Sequence, residues 1–278
     1  MIELKASTYG FFLSNQSFHI SLRQINHSVV NMSNFADKIL HAMALILIIE
    51  TSTEVCSVSL VKDGILLDFI ESEEGQNHAR LVTVFAENLL FRNKLDPNEL
   101  NAVVTSKGPG SYTGLRIGAS TAKGICYAGN LPLIAVGTLE AMAKHVALNK
   151  KQFGIPEDKS TLFCPMIDAR RMEVYSMLFD ENGAILKPVT AEIIDDTFLA
   201  HELSDKQVVF FGNGSAKCEK VIKSQNALFL HNIKASAKHM TELAWEAYNN
   251  NQFENVAYFE PFYLKDFVAT VSKKNMLG

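Results

Sequence analysis

The sequence predicts an α/β fold made of two facing copies of one βββαβα unit. Three observations carry this expectation. Groups of short apolar runs joined by tight polar turns occur at two places in the chain, and each group is followed by amphipathic helical patterns and further strands. Residues 54–67, "EVCSVSLVKDGILL", also match residues 173–186, "EVYSMLFDENGAIL", with Glu54 on Glu173, Ser57 on Ser176 and the turn Gly64 on Gly183. Glu50, the acidic residue closing the first run, takes Asp168 as its counterpart, one residue further from the match.

The elements follow in order. From Leu45, "LILIIE", "VCSVSLV" and "ILLDFI" are linked by "TSTE" and "KDG", which predicts three strands in an antiparallel meander. In "NHARLVTVFAENLLFRN", Val82, Phe85, Ala86, Leu89 and Leu90 recur at helical spacing and predict an amphipathic helix. Next come the strand "NAVVTS", a glycine-rich loop, a helix from about Thr113 to Ala128, the strand "LIAV" and a helix from Thr138 to about Leu148. The second meander starts at Leu162 with "LFCPMID", "EVYSMLFD" and "AIL", followed by "QVVFF", the turn "GNG" and helices near 215–224 and 236–250. The polar stretch 149–160, "NKKQFGIPEDKS", reads as the linker between a first domain, 43–148, and a second, 149–278, whose helix near 236–250 packs back on the first. Two such halves make the actin-like ATPase-domain, ribonuclease H-like architecture. Residues 1–42, rich in Ser, Asn, Gln and His, read as an upstream extension or a short helical appendage, and no function is assigned to them.

At 278 residues, with 47% hydrophobic content and a mean hydropathy of +0.06, the chain can bury one large core or two smaller ones. A net charge of −4 lacks the basic field of an autonomous nucleic-acid binder. The four cysteines are scattered without a CxxC pair, which fits reduced thiols in a cytoplasmic protein better than disulfides or a zinc site. No apolar run approaches the roughly 20 residues of a membrane span, and membrane contact is not expected.

The chemistry centres on "GPGSYTGLRIGASTAKG", residues 108–124. It is not a Walker loop, because Gly114 is followed by Leu115 where a lysine must reach the phosphates. What remains is a loop feeding a helix N-terminus, where Ser111 or Thr113 can cap and an anion can be held near Gly108, Gly110 and Gly114. The other reading is close packing through Gly118, Ala119, Ala122 and Gly124. In "ETSTE", Glu50 can hold a metal or water while Thr51 and Ser52 donate, or the hydroxyls satisfy local backbone. Asp168, Arg170, Arg171 and Glu173 form either a solvated salt-bridge cluster or a ligand or domain-closure site. No GxSxG, HExxH or HxxxH is present, and His78 and His145 read as ordinary helix residues. Leu81, Val84 and Phe91 lie off the core stripe of helix 77–92 and form a second apolar face, which is a binding surface or the underside of a loop.

Taken in order, "ILIIETSTEVCSVSL", "GPGSYTGLRIGASTAKGICYA", "PLIAVGTLEAMA", "IDARRMEVY", "FFGNGS" and "PFYLKDF" resemble the bacterial TsaB (YeaZ) family, from Met43 to about Phe267. The resemblance implies a noncatalytic, cytoplasmic partner of the glycoprotease-like TsaD. That enzyme transfers a threonylcarbamoyl group to the adenosine beside the anticodon of tRNAs reading codons that begin with A. It further implies a heterodimer with a TsaD homologue, a ternary complex with a TsaE homologue, tRNA contact only through the complex, and a homodimer as an alternative when alone. No catalytic residue, metal or cofactor belongs to this chain on that reading, ATP and metal being the partners' own. Where TsaD-like chains carry two metal-binding histidines in HLEGH, this sequence has Thr138 and Met142, which cannot replace imidazoles. Glu50 departs from the aspartate frequent in the family. The partner surface implied is His78, Leu81, Val84, Phe85 and Asn88 on one helix and Leu115, Arg116, Ala119, Ser120 and Lys123 on the next. A vestigial nucleotide or anion site would be Glu50, Thr51, Ser52, Gly108, Gly110, Ser111, Thr113, Gly114, Asp168 and Arg170. Competing readings are a peptidase, which the missing HxxxH and nucleophile disfavour, and a small-molecule kinase of the same fold, disfavoured by a short chain with no acidic base beyond Glu50 and Asp168. A third is a free-standing homodimer with a secretion or growth-regulatory role.

Overall fold

The computed structural model describes residues 44–75, 77–156 and 160–264, so the expectations for residues 1–42 lie outside it. The first half runs β1 (Leu45–Glu50), β2 (Cys56–Lys62), β3 (Ile65–Ser72), α1 (His78–Arg92), β4 (Leu100–Gly108), α2 (Tyr112–Gly129), β5 (Leu133–Gly137) and α3 (Thr138–Leu148). The second runs β6 (Thr161–Asp168), β7 (Glu173–Phe179), β8 (Ile185–Ile193), α4 (Glu202–Asp205), β9 (Gln207–Phe211), α5 (Ser215–Cys218), β10 (Ala227–Leu230) and α6 (Thr241–Asn249).

The duplication is topological. One sheet has the order β3-β2-β1-β4-β5 and the other, read the same way, β8-β7-β6-β9-β10. In each, an antiparallel meander is extended by two parallel strands from its first member. The sequence missed β10 and α4, each only four residues long and too short to show a period. The helix expected near 215–224 stops at Cys218, where turns seat Cys218 and Ile222 in the core. The helix expected from 236 opens as a 3-10 turn, Ala237–Met240, before α6.

Glu50 and Asp168 each close the first strand of their meander and make its last pair, as the proposed equivalence has it, but the register at the matched serines differs. Glu50 faces Ser57 across β1–β2, and the residue facing the matched Ser176 is Met166. Asp168 faces Val174, so the last pair of the second meander encloses residues 169–173 where that of the first encloses residues 51–56, and the second pairing runs two residues past the matched serine. The second turn is therefore slightly shorter, and its acidic group ends the strand at an exposed position.

Strand β1 is buried along its whole length and sits mid-sheet, so its alternating side chains serve two cores. Leu45, Leu47 and Ile49 pack under α1 and α2, with Val82, Leu89, Ala122 and Cys126. Ile46 and Ile48 pack with Ala237, Met240, Ala244 and Ala247 from the 3-10 turn and α6. In return, α3 sends Leu139, Met142, Ala143 and Val146 against Phe163, Phe179 and Phe211 of the second sheet. The halves thus exchange their last helices, and neither core is complete without a helix of the other. Burial pushes the thiols of Cys56, Cys126 and Cys218 up to about 11, so they behave as inert core residues.

At the crossing of these exchanged elements, the rings of His145 (α3) and His239 (3-10 turn) stack with centroids 3.9 Å apart. Burial, then the neighbouring His145 and Lys238, push His239 down to about 3, and burial and Lys238 also lower His145. The folded chain therefore favours neutral rings. Stability from this pair is fully present above the ordinary histidine value of 6.5 and is lost as pH falls below it. Each pH unit of fall costs up to about 1.4 kcal/mol for His239 alone. Urea unfolding at about pH 7 and about pH 5 should show a marked loss in the wild type, and His239→Phe, which keeps the stack, should reduce that loss by at least about 1 kcal/mol. An equal loss in both proteins would contradict this.

Candidate functional site

Between the halves lies a cleft of about 970 Å³. Its first wall is built where α2 meets the β1–β2 turn. Gly110, Gly114 and Gly118 are spaced one helical turn apart and lie directly on that turn. A Cβ on Gly110 would fall closer than 3.0 Å to the Ser52 carbonyl, on Gly114 to the Thr51 carbonyl, and on Gly118 to the Thr51 hydroxyl. The gap is closed by two hydrogen bonds, Ser111 N–H to the Ser52 carbonyl at 2.6 Å and the Thr51 hydroxyl to the Gly114 carbonyl at 2.8 Å. Ser111 caps the helix by accepting from Gly114 N–H at 3.3 Å. The packing reading of this stretch holds for Gly118, Ala119 and Ala122, which are buried, whereas Gly124 faces open space.

Of the residues assigned to an anion site, Ser52, Gly110, Ser111, Thr113, Gly114, Asp168 and Arg170 line the cleft. Glu50, Thr51 and Gly108 do not. Glu50 is 1% exposed, beneath the loop, where it accepts Ser52 N–H at 2.6 Å. Burial raises its pKa despite that hydrogen bond. The expectation that Glu50 holds a metal or water in the cleft is therefore corrected: its carboxyl faces the interior because the glycine loop closes over the turn. His78, expected to be an ordinary helix residue or a partner contact, is buried on the cleft floor with Nε2 3.0 Å from the Thr53 carbonyl.

The second wall carries a network that sequence reading missed. Lys217 donates to Asp168 Oδ1 at 2.5 Å and to the carbonyls of Arg171 and Glu173 at 2.8 and 2.6 Å. Asp168 also accepts Arg170 N–H, while its own N–H donates to Asn213 Oδ1. Asn213 Nδ2 then reaches across the cleft to Glu54 at 2.6 Å. Only the "GNG" turn signalled Asn213, and nothing in the local pattern marked Lys217. The acidic and basic residues lining the cleft are Glu54, Asp168 and Arg170, an acid-leaning set that opposes a bare polyphosphate.

The expected partner surface is only partly a surface. Val84, Asn88, Arg116 and Ser120 are exposed, as is Phe91 at 82%, and a groove of about 400 Å³ runs along Arg116, Ile117 and Ser120. His78, Leu115 and Ala119 are buried, and Leu81 and Phe85 are half-buried against the α1 core. Lys123 spends its ammonium on the carbonyls of Ala257 and Phe259 at 3.0 and 3.1 Å. The reason is a strap that sequence reading did not foresee: residues 254–263 bridge to β5 at Leu133, bond Phe262 N–H to the Lys107 carbonyl and place Tyr263 on Tyr112. Among the described residues, no three His, Cys, Asp or Glu side chains gather as a metal site, and no helix is long and apolar enough to cross a membrane.

A model of the family described as "TsaD: tRNA N6-adenosine threonylcarbamoyltransferase" matches residues 69–273. The tRNA threonylcarbamoyladenosine biosynthesis protein TsaB of Escherichia coli (strain K12) is 31% identical over 237 residues, 81% of this chain and 96% of that protein. The chain belongs to the TsaB (YeaZ) family. TsaB of Bacillus subtilis (strain 168) is 29% identical, covering 64% of this chain and 75% of that one. The solved YeaZ from Pseudomonas aeruginosa superposes with a TM-score of 0.66 at 23% identity, over 80% of this chain and all of that one, which speaks for the fold. A role in tRNA threonylcarbamoyladenosine biosynthesis follows from this membership, as does the actin-like architecture.

If the loop is a packing device, Gly114→Ala should lower stability by about 1–3 kcal/mol through overpacking on Thr51. Gly124→Ala, in open space on the same helix, should be neutral or stabilising by up to about 1 kcal/mol. Thermal unfolding of the two variants checks this, and equal melting temperatures would refute it.

Proposed function

We propose that the chain is the noncatalytic scaffold subunit that TsaD requires to threonylcarbamoylate the adenosine beside the anticodon in tRNAs reading codons that begin with A. One observation carries the reading. Thr138 and Met142, aligned by resemblance with the metal-binding histidines of the transferase, are 0% and 1% exposed, and Met142 packs in the core of the second sheet. The position is occupied by the core packing of α3, which supports a division of labour in which ATP and metal belong to the partner proteins. Family membership supports a place in the same pathway.

On this reading the exposed strip of Val84 and Asn88 on α1 with Arg116 and Ser120 on α2 receives a TsaD homologue. A TsaE homologue joins as the third component, and two copies of this chain use the same strip when alone. The kinase alternative draws less support, since Glu50 lies under the glycine loop and Asp168 is held by Lys217.

Size-exclusion chromatography with light scattering on the chain mixed with the TsaD homologue of the same organism should give a heterodimer. Val84→Glu with Arg116→Glu should weaken that complex at least about tenfold, a loss of about 1.4 kcal/mol, with an unchanged melting temperature. Threonylcarbamoylation should require the chain and fail with it alone. Transfer by the chain alone, or full activity of the transferase without it, would refute the reading.

A further inference from the structure

The turn between β6 and β7 contains a feature that neither packing nor family membership uses. Arg170 and Arg171 are consecutive and both left-handed, with φ of +71° and +49°. A residue with a Cβ adopts this backbone only at an energetic cost that glycine escapes. The turn is nevertheless held firmly, because Lys217 spends three donors on Asp168, Arg171 and Glu173. Both guanidinium groups are exposed, and neither makes a hydrogen bond or ion pair among the described residues. Arg170 lines the cleft while Arg171 does not, so the pair straddles the lip. Beside it, Met172 is 39% and Ile193 75% exposed, joined by the bond from Ile194 N–H to the Met172 carbonyl.

We propose that the Arg170–Arg171 turn is a contact site for the phosphate backbone of a polynucleotide, the tRNA of this pathway. Two free guanidiniums, rigidly displayed on either side of a lip, suit successive phosphates of an extended polyanion better than one compact phosphate. The exposed Met172 and Ile193 add an apolar shelf for a ribose or base. The acid-leaning cleft behind discourages a free nucleotide from entering on Arg170 alone. Because the whole chain is acidic, this contact adds to a surface completed by partners instead of binding tRNA autonomously.

The site rests on the scaffold reading above, and the test separates the two. Fluorescence anisotropy is run with an unmodified transcript of a tRNA reading a codon that begins with A, on the full chain alone and with the TsaD homologue, across a salt series. Arg170→Ala/Arg171→Ala should form the complex normally and bind the transcript about tenfold more weakly. The slope of log affinity against log salt should shrink by about 1.5. Lys62→Ala/Lys94→Ala, which removes equal charge elsewhere, should change affinity less than threefold. Arg170→Gly/Arg171→Gly should bind as poorly as the alanine pair yet melt higher than it, because glycine relieves the left-handed backbone. Unchanged transcript affinity in an intact complex, a loss no greater than that of the lysine control, or an effect confined to magnesium ATP overturns the proposal. Failure of the wild-type chain to form the complex counts against the scaffold reading, whereas unchanged transcript affinity in an intact complex counts against the arginine pair alone.

Discussion

The backbone of α2 rests on the backbone of the β1–β2 turn, and much of the first half follows from that contact. Three glycines a turn apart remove the side chains that would hold the two apart, and the Ser111–Ser52 and Thr51–Gly114 hydrogen bonds join them. With the helix this close, Leu115, Ala119, Ala122 and Cys126 reach the sheet and complete the core over β1. The same contact encloses Glu50 and engages the Ser52 carbonyl, the Thr51 hydroxyl and the Ser111 amide. A stretch that resembles a phosphate loop in composition works as a joint in this chain.

The duplicated topology makes the difference between the two halves informative. In the first, the turn after the leading strand is covered by the glycines at the start of α2. In the second, the turn between Asp168 and Glu173 is exposed at its two arginines and held by Lys217. One ancestral position has become a buried joint and its twin a displayed edge. The exchange of α3 and α6 between the cores couples the halves, with the His145–His239 stack at the crossing and the Glu54–Asn213 bond spanning the cleft.

The long, periodic elements were legible in the sequence. The strands of both meanders, the stripe of α1 and the repeat of 54–67 in 173–186 follow from alternation, helical spacing and turn residues, and the motif order identified the family. What escaped depends on distant partners. The register that faces Met166 with Ser176 reflects pairing that continues two residues past that serine to Val174, which a gapless match cannot see. The strap over Lys123 has no period and takes its place from contacts with α2 and β5. Leu81 looked exposed by its position on the wheel, yet it rests on the core. For the site, the glycines declared close approach without saying to what, and Lys217 and Asn213 acquire meaning only through the carbonyls and carboxylates that folding brings to them.

If α2 is locked to the β1–β2 turn as a structural joint, the amides of Ser111, Gly114 and Leu115 are already engaged and have no ligand to wait for. Native-state amide hydrogen exchange of the full chain, with and without magnesium ATP, tests this directly. The account predicts that Ser111, Gly114 and Leu115 exchange only through global unfolding and that nucleotide leaves their rates unchanged. Rapid exchange of these amides in the free chain, with protection appearing on addition of nucleotide, would mean that the loop is a phosphate cradle after all.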